Sequence, residues 1–109
     1  MALKHAQPLD VIDLQPPAGS PAAATSASLL KTPQLQLMRL VLAAGQQVPE
    51  HHVPGPVTIQ CLAGAATVTT PAAVCRLVAG QLVVLPPGEP HAVQAHGAAA
   101  LLVTIVHPI

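Results

Sequence analysis

The side chains able to do chemistry here are few: six histidines, four carboxylates, four Lys or Arg and two cysteines in 109 residues. Two of the histidines stand out by their setting. His51 follows Gly45-Gln46-Gln47-Val48-Pro49-Glu50, and His91 closes Leu85-Pro86-Pro87-Gly88-Glu89-Pro90-His91. The Pro86–Gly88 turn delivers His91 to the inner face of the strand that follows it, and His51 arrives from a facing strand. Imidazole serves as a metal ligand, a proton carrier and a hydrogen-bonding group. Two of them brought together from positions about 40 apart suit a divalent ion or an organic ligand. They equally suit a pair of core or rim histidines that bond each other or water and bind nothing.

The remaining candidates are weaker. His52 adjoins His51, but neighbours in extended chain face opposite ways, so it reaches the same space only if Pro54 and Gly55 distort the strand. Gln60 is the other possible recruit, although strict alternation from Val57 through Ile59 sends it outward. Arg39 shares a strand face with Leu35, Leu37 and Val41. If that face lines the interior, its guanidinium needs a carboxylate or an anionic ligand; if a bulge near Met38 turns it out, it is an ordinary surface residue. Glu50 and Glu89 precede the two histidines, either as a carboxylate at the mouth or as solvated loop acids. His5, His96 and His107 are expected in solvent. Cys61 and Cys75 fall in expected strands, outside any CxxC pair, and read as free, buried thiols. No Ser-His-Asp, Cys-His or paired-carboxylate arrangement is present.

The elements that must hold these residues are strands. From Ser28 onward, short Leu- or Val-rich runs alternate with Gly and Pro at the spacing of an all-β sandwich or barrel, and no segment sustains a 3.6-residue period. Strands are expected at 29–31, 35–42, 57–62, 65–69, 75–78, 82–85, 91–95 and 101–106. Turns are expected at Gly45, Pro54-Gly55-Pro56, Gly64, Pro71, Gly80, Pro86-Pro87-Gly88 and His96-Gly97. Residues 1–27 read as an arm and loop packing on the barrel or on a partner, with prolines and glycine between Pro16 and Pro21 excluding helix. Residues 28–109 form the barrel. Both faces of the 35–42 run are apolar, which suggests cover on both sides and a dimer interface.

Composition sets the remaining bounds. Apolar residues make up 51% of the chain, charged residues 7%, and the formal net charge is zero. Lys4, Lys31, Arg39 and Arg76 are scattered, so nucleic acid is excluded as a partner. No run approaches the roughly 18 apolar residues of a membrane span, and no signal-like apolar core follows Lys4, so a soluble, cytoplasmic protein without membrane contact is expected. Without charge to keep copies apart, self-association into a homodimer is expected. The chain has no Phe, Tyr or Trp. Its core must be filled by Leu, Val, Ile and Ala, and any pocket lacks an aromatic wall.

The stretches Gly45–Gly64 and Gly80–His91 resemble the two motifs of the cupin family. The first motif runs Gly, five residues, His-x-His, three or four residues, Glu, six residues, Gly; Gly45, His51 and Gly64 fall in register. The second runs Gly, five residues, Pro-x-Gly, two residues, His, three residues, Asn; Gly80, Pro86, Gly88 and His91 match it. The resemblance covers about residues 28–106 and implies a cupin or jelly-roll β-barrel, the double-stranded β-helix. It also implies a metal pocket of three His and one Glu. Here the second His position is Val53, the Glu position is Val57 and the Asn position is Ala95. What remains is a reduced pocket of His51, His91, Arg39, Val53 and Val57. A Zn, Mn, Fe or Ni ion would be held weakly by His51 and His91, with His52 or Gln60 as third ligand, or not at all.

Three functions are open to such a chain, the first two from the resemblance and the third from its low charge. The preferred one is a non-catalytic cupin binding a small molecule or a loosely held metal. The second is a metal-dependent oxygenase, isomerase or lyase with a reduced ligand set. The third is a protein-interaction module using the uncharged exterior.

Overall fold

A computed structural model describes residues 5–15, 19 and 24–108; the rest of the expected arm, including Pro16, Pro17 and Pro21, lies outside them. Seven strands follow in order: β1 (Ala27–Lys31), β2 (Leu35–Leu42), β3 (Gln47–His51), β4 (Val57–Thr69), β5 (Val74–Val78), β6 (Leu82–Leu85) and β7 (His91–Val106). No helix among the described residues is long and apolar enough to cross a membrane.

Two long strands, β4 and β7, organise the whole, because each of their halves pairs with different neighbours. Residues 57–60 of β4 pair with β6 and with the end of β7, whereas 65–69 pair with β5 and with its beginning. β2 takes the late half of β7 and β3 its early half. The result is two antiparallel layers, β1-β2-β7-β4-β6 and β3-β7-β4-β5, that share their central strands. Where the layers meet, the β4–β7 register slips twice between Cys61 and Ala65. Such bulges add a residue and bend the ladder, which lets one pair of strands turn from one layer into the other.

Expected turns at Gly64 and at His96-Gly97 prove to be these bends. Both glycines have positive φ, +74° and +70°, but the strands continue through them. A Gly at positive φ serves a bulge as readily as a turn, so the eight expected strands become seven of different extent. The strand β3, which carries Pro49, is the facing strand expected to deliver His51, although 47–51 was not among the expected strand spans. It pairs along one side only, with β7, and an edge is where a strand tolerates proline.

Alternation along the paired strands decides what faces the core. Ile59 and Cys61 of β4, Leu101 and Val103 of β7, and Leu85 of β6 meet Ala66, Val68, Val93 and Ala95 of the other layer in one apolar cluster. Ile59, Cys61, Val68 and Leu101 are the largest fully buried side chains, as a core without aromatic rings requires. Cys61 and Cys75 are both free thiols, the first buried and the second half-buried. Burial pushes the Cys61 thiol up from its ordinary pKa, against a smaller lowering by its contact with the Ala63 carbonyl.

Arg39 occupies neither of its two expected environments. Opposed residues in a ladder share a face. Leu40 opposes the core residue Leu101, whereas Arg39 opposes Leu102. Its side chain therefore lies on the outer face of β2, yet it is only 4% exposed. The arm covers it, and its Nη1 donates to the Asp13 carbonyl at 3.2 Å. Gln15 fastens the same stretch by donating from Nε2 to the Leu62 carbonyl at 2.8 Å.

Candidate functional site

His51 meets His91 because of a local defect in β3. Val48 opposes Val93 and His51 opposes His91, so three steps on β3 match two on β7. The extra residue shifts the alternation and re-aims His51 onto the face where Val48 and Val93 already point. Without the bulge the ring would turn outward. The two ring centroids lie 4.3 Å apart, with the planes tilted by 56°. His91 forms the floor at 3% exposure, while His51 is open to solvent.

A tight turn sets His91 in place. Gly88 has φ +75°, and the Glu89 amide donates to the Pro86 carbonyl at 3.2 Å. This is the turn that Pro followed by Gly favours, since Pro presets one central residue and Gly supplies the positive φ of the next. The Gly88 amide then donates to the Val53 carbonyl at 2.9 Å, tying the turn to the chain just after β3. Both histidines are thus anchored to one another's supporting backbone.

Each imidazole is also oriented in the same way. Nδ1 of His51 lies 3.0 Å from the Pro49 carbonyl, and Nδ1 of His91 lies 3.0 Å from the Glu89 carbonyl. A carbonyl oxygen only accepts, so both Nδ1 atoms must carry the proton. In the neutral rings each Nε2 is left with its lone pair, the arrangement in which a ligating His is held by a backbone carbonyl.

The other candidates are not brought to this pair. Among the described residues no group of three His, Cys, Asp or Glu could hold an ion, so neither His52 nor Glu50 nor Glu89 completes the set. Gln60 opposes Leu82 and Leu102 and lies on the outer face of β4, between the inward Ile59 and Cys61. Arg39, on the outer face of β2 beneath the arm, does not line the interior. Val57 is 2% exposed and Val53 packs against the core, so both wall positions are apolar and offer no side-chain donor. His5 reaches Ser28 Oγ at 2.9 Å and His96 pairs with Thr67 Oγ1, both at the surface. The two carbonyls that orient the rings were not foreseen. In each case the carbonyl belongs to the residue two positions before the histidine, Pro49 or Glu89, and residue type gives no signal for it.

The chemistry available is that of two imidazoles side by side at a half-open apolar rim, each held through Nδ1 by a backbone carbonyl. Open spaces elsewhere include a groove of about 310 Å³ along Gln47–Glu50, Thr69 and Ala92–Gln94, one of about 850 Å³ between the arm and β1, and one of about 440 Å³ between β5 and β6 at Cys75–Leu77 and Gln81–Val83.

Known proteins share this fold. The family model for the cupin domain, Cupin_2, matches residues 38–107. A conserved protein of unknown function from Streptococcus pyogenes aligns over 100% of this chain and 96% of its own, with 26% identity and a TM-score of 0.79. A cupin superfamily protein from Desulfitobacterium hafniense aligns over 77% of each chain at 23% identity, with a TM-score of 0.74. An RmlC-like cupin family protein with a double-stranded β-helix fold, from Methanocaldococcus jannaschii, aligns over 80% of this chain and 84% of its own. That pair shares 22% identity and a TM-score of 0.70. No curated protein matches the sequence.

Proposed function

This chain belongs to the cupin-domain family, and from that membership we propose that it is a binding cupin. In this reading His51 and His91 hold a divalent ion weakly, and the ion's remaining positions take water or an oxygen-bearing small molecule that is not turned over. One observation carries the reading: both rings donate Nδ1–H to a backbone carbonyl, which leaves two Nε2 lone pairs on rings 4.3 Å apart.

The donor set fits such an ion. An imidazole nitrogen sits about 2.0–2.1 Å from a metal, which puts the ring centre roughly 3.2 Å away. Two imidazoles whose centroids lie 4.3 Å apart would be near enough to share one such ion, and a nitrogen set of this kind would take Zn, Mn, Fe or Ni. Two neutral ligands fall one short of the three protein ligands that catalytic sites keep, so affinity should be low. When bound, the ion supplies positive charge for orienting oxygen donors. The chain's own residues position the two rings and exclude water from the side of Val53 and Val57.

The surroundings of the rings support the part of the reading that excludes turnover. Val57 occupies the position of the family's carboxylate, and among the described residues no acid joins the pair to move a proton. The fold itself hosts many activities and cannot decide the matter.

Elemental analysis and calorimetric titration of tag-free protein with Mn²⁺, Ni²⁺ and Zn²⁺ test the proposal. The expected result is one weak site per chain, lost in both His51→Ala and His91→Ala. An ion bound equally well by either variant, or by neither variant nor the parent protein, refutes it.

A further inference from the structure

Each layer ends in two edge strands, and among the described residues three of the edges are guarded. The arm meets β1, where the Ala6 amide donates to the Leu29 carbonyl at 2.8 Å; β3 carries Pro49; β6 is only four residues long. Cover, proline and brevity are the usual protections of an exposed edge. The remaining one, β5, reads Val74-Cys75-Arg76-Leu77-Val78 and has none of the three. It pairs along one side only, with β4.

The turn that leads into β5 fixes which of its backbone groups are free. The Thr70 amide donates to the Ala73 carbonyl at 2.8 Å, and bonded pairs alternate along an antiparallel ladder. Val68 with Cys75, and then Ala66 with Leu77, are therefore the bonded pairs, whereas Val74, Arg76 and Val78 turn their amides and carbonyls away from β4. Val78 bears this out. Its amide donates to Gln81 Oε1 at 3.0 Å and its carbonyl accepts from the Gln81 amide at 3.0 Å. Val74 and Arg76 are left with both backbone groups aimed along the open edge.

That edge borders a space continuous with the core. Because β6 also lies at the end of its layer, the two layers part between β5 and β6, and a groove of about 440 Å³ runs there. Its inner side is apolar: Leu77 belongs to the core cluster, and the half-buried Cys75 and Val83 pack against it. Arg76 is the one charged residue among the described lining, and it shares the outer face with Thr67. Val74 stands on that same face, 72% exposed.

We propose that the free edge of β5 takes an extended segment of another protein as an added antiparallel strand, with apolar side chains at alternate positions and a carboxylate between them. The segment's residue opposite Arg76 exchanges both backbone bonds with it and, sharing its face, brings the carboxylate beside the guanidinium. The residue opposite Val74 forms the second bonded pair. Residues opposite Cys75 and Leu77 point the other way, into the groove, and extend the core. Main-chain bonds thus supply affinity and alternate side chains supply selectivity. The single positive charge selects an acidic segment over a basic one. Neither imidazole of the His51–His91 pair takes part.

The probe is a capped peptide, threonine-valine-glutamate-valine-threonine, titrated to about 1 mM against the ¹⁵N-labelled full chain. In the free chain the Val74 and Arg76 amides should exchange with solvent roughly a hundredfold faster than those of Cys75 and Leu77. Peptide should slow that exchange and shift both resonances together. Methylating the glutamate amide removes one backbone bond and should weaken binding roughly tenfold. Lysine in place of the glutamate should weaken it roughly threefold to tenfold, and Arg76→Glu, at an exposed position, should reverse that preference. No saturable binding, equal binding of the methylated peptide, or an unchanged charge preference in Arg76→Glu overturns the proposal. So does protection of the Val74 and Arg76 amides that grows with protein concentration alone, since a second copy would then be the occupant.

Discussion

Replacing Gly64 with alanine tests how β4 and β7 bend together between the layers. A Cβ at Gly64 would lie 2.2 Å from the Ala98 carbonyl oxygen and 3.1 Å from Ala99 Cα, and the residue has φ +74°. Gly97, on the opposed bulge, has φ +70° but open space around it. Both substitutions force an L residue into left-handed backbone, at about 1–2 kcal/mol. Only Gly64→Ala also drives a methyl into main-chain atoms that cannot rotate aside, adding about 1–3 kcal/mol of overpacking strain. The expected loss is therefore about 2–5 kcal/mol for Gly64→Ala and about 1–2 for Gly97→Ala. At about 4–8 °C per kcal/mol, the thermal midpoints should separate clearly. Gly55→Ala isolates the steric part, because its φ lies outside the left-handed region while its Cβ would meet the Val106 carbonyl oxygen at 1.7 Å. Urea unfolding followed by circular dichroism measures all three. If Gly64→Ala and Gly97→Ala agree within about 0.5 kcal/mol, the two bulges do not touch as described and the account of the bend is wrong.

Three further outcomes follow from the same geometry. His91→Ala should cost about 1–3 kcal/mol of stability, because a buried ring is removed, whereas the exposed His51→Ala should cost under about 0.5; denaturant titration distinguishes them. Arg39→Ala should release the arm from the Asp13 carbonyl, read as protease cleavage within residues 7–15 at a protease level that leaves the parent chain whole. Cys61 has its folded pKa raised by burial, so the folded state keeps a proton that the unfolded thiol begins to lose near its ordinary 9.0. Stability from this source is complete below that value and falls as pH rises above it. Unfolding free energies measured across that range should decline less in Cys61→Ala than in the parent chain.

Much of the fold was legible in the sequence. Alternating runs between Gly and Pro marked most of the strands, and the two motif-like stretches placed His51 and His91 on converging elements. What escaped it has identifiable physical causes. Gly64 and Gly97 carry the same local signal whether the chain reverses or only bulges, since both need positive φ, and only the partner strand distinguishes them. Residues 47–51 carry no Leu- or Val-rich run, so they were missing from the expected spans, and they pair as a strand along one side only. The 35–42 run is apolar on both faces, so alternation alone could not tell which face was inside. Arg39 left both orientations open, and its burial on the outer face depends on an arm more than 20 positions away in sequence. The bulge that aims His51 inward is invisible from residue types, because it exists only as a mismatch with β7.

The account rests on His51 and His91 sharing one space with both Nε2 atoms free. Long-range ¹H–¹⁵N correlation spectra of the histidine side chains, recorded near pH 8.5 where imidazole is neutral, read this directly. Both rings should carry their proton on Nδ1, and titration with diamagnetic Zn²⁺ should shift the two Nε2 resonances together. A proton on Nε2 of either ring, or a shift confined to one ring, contradicts the shared site.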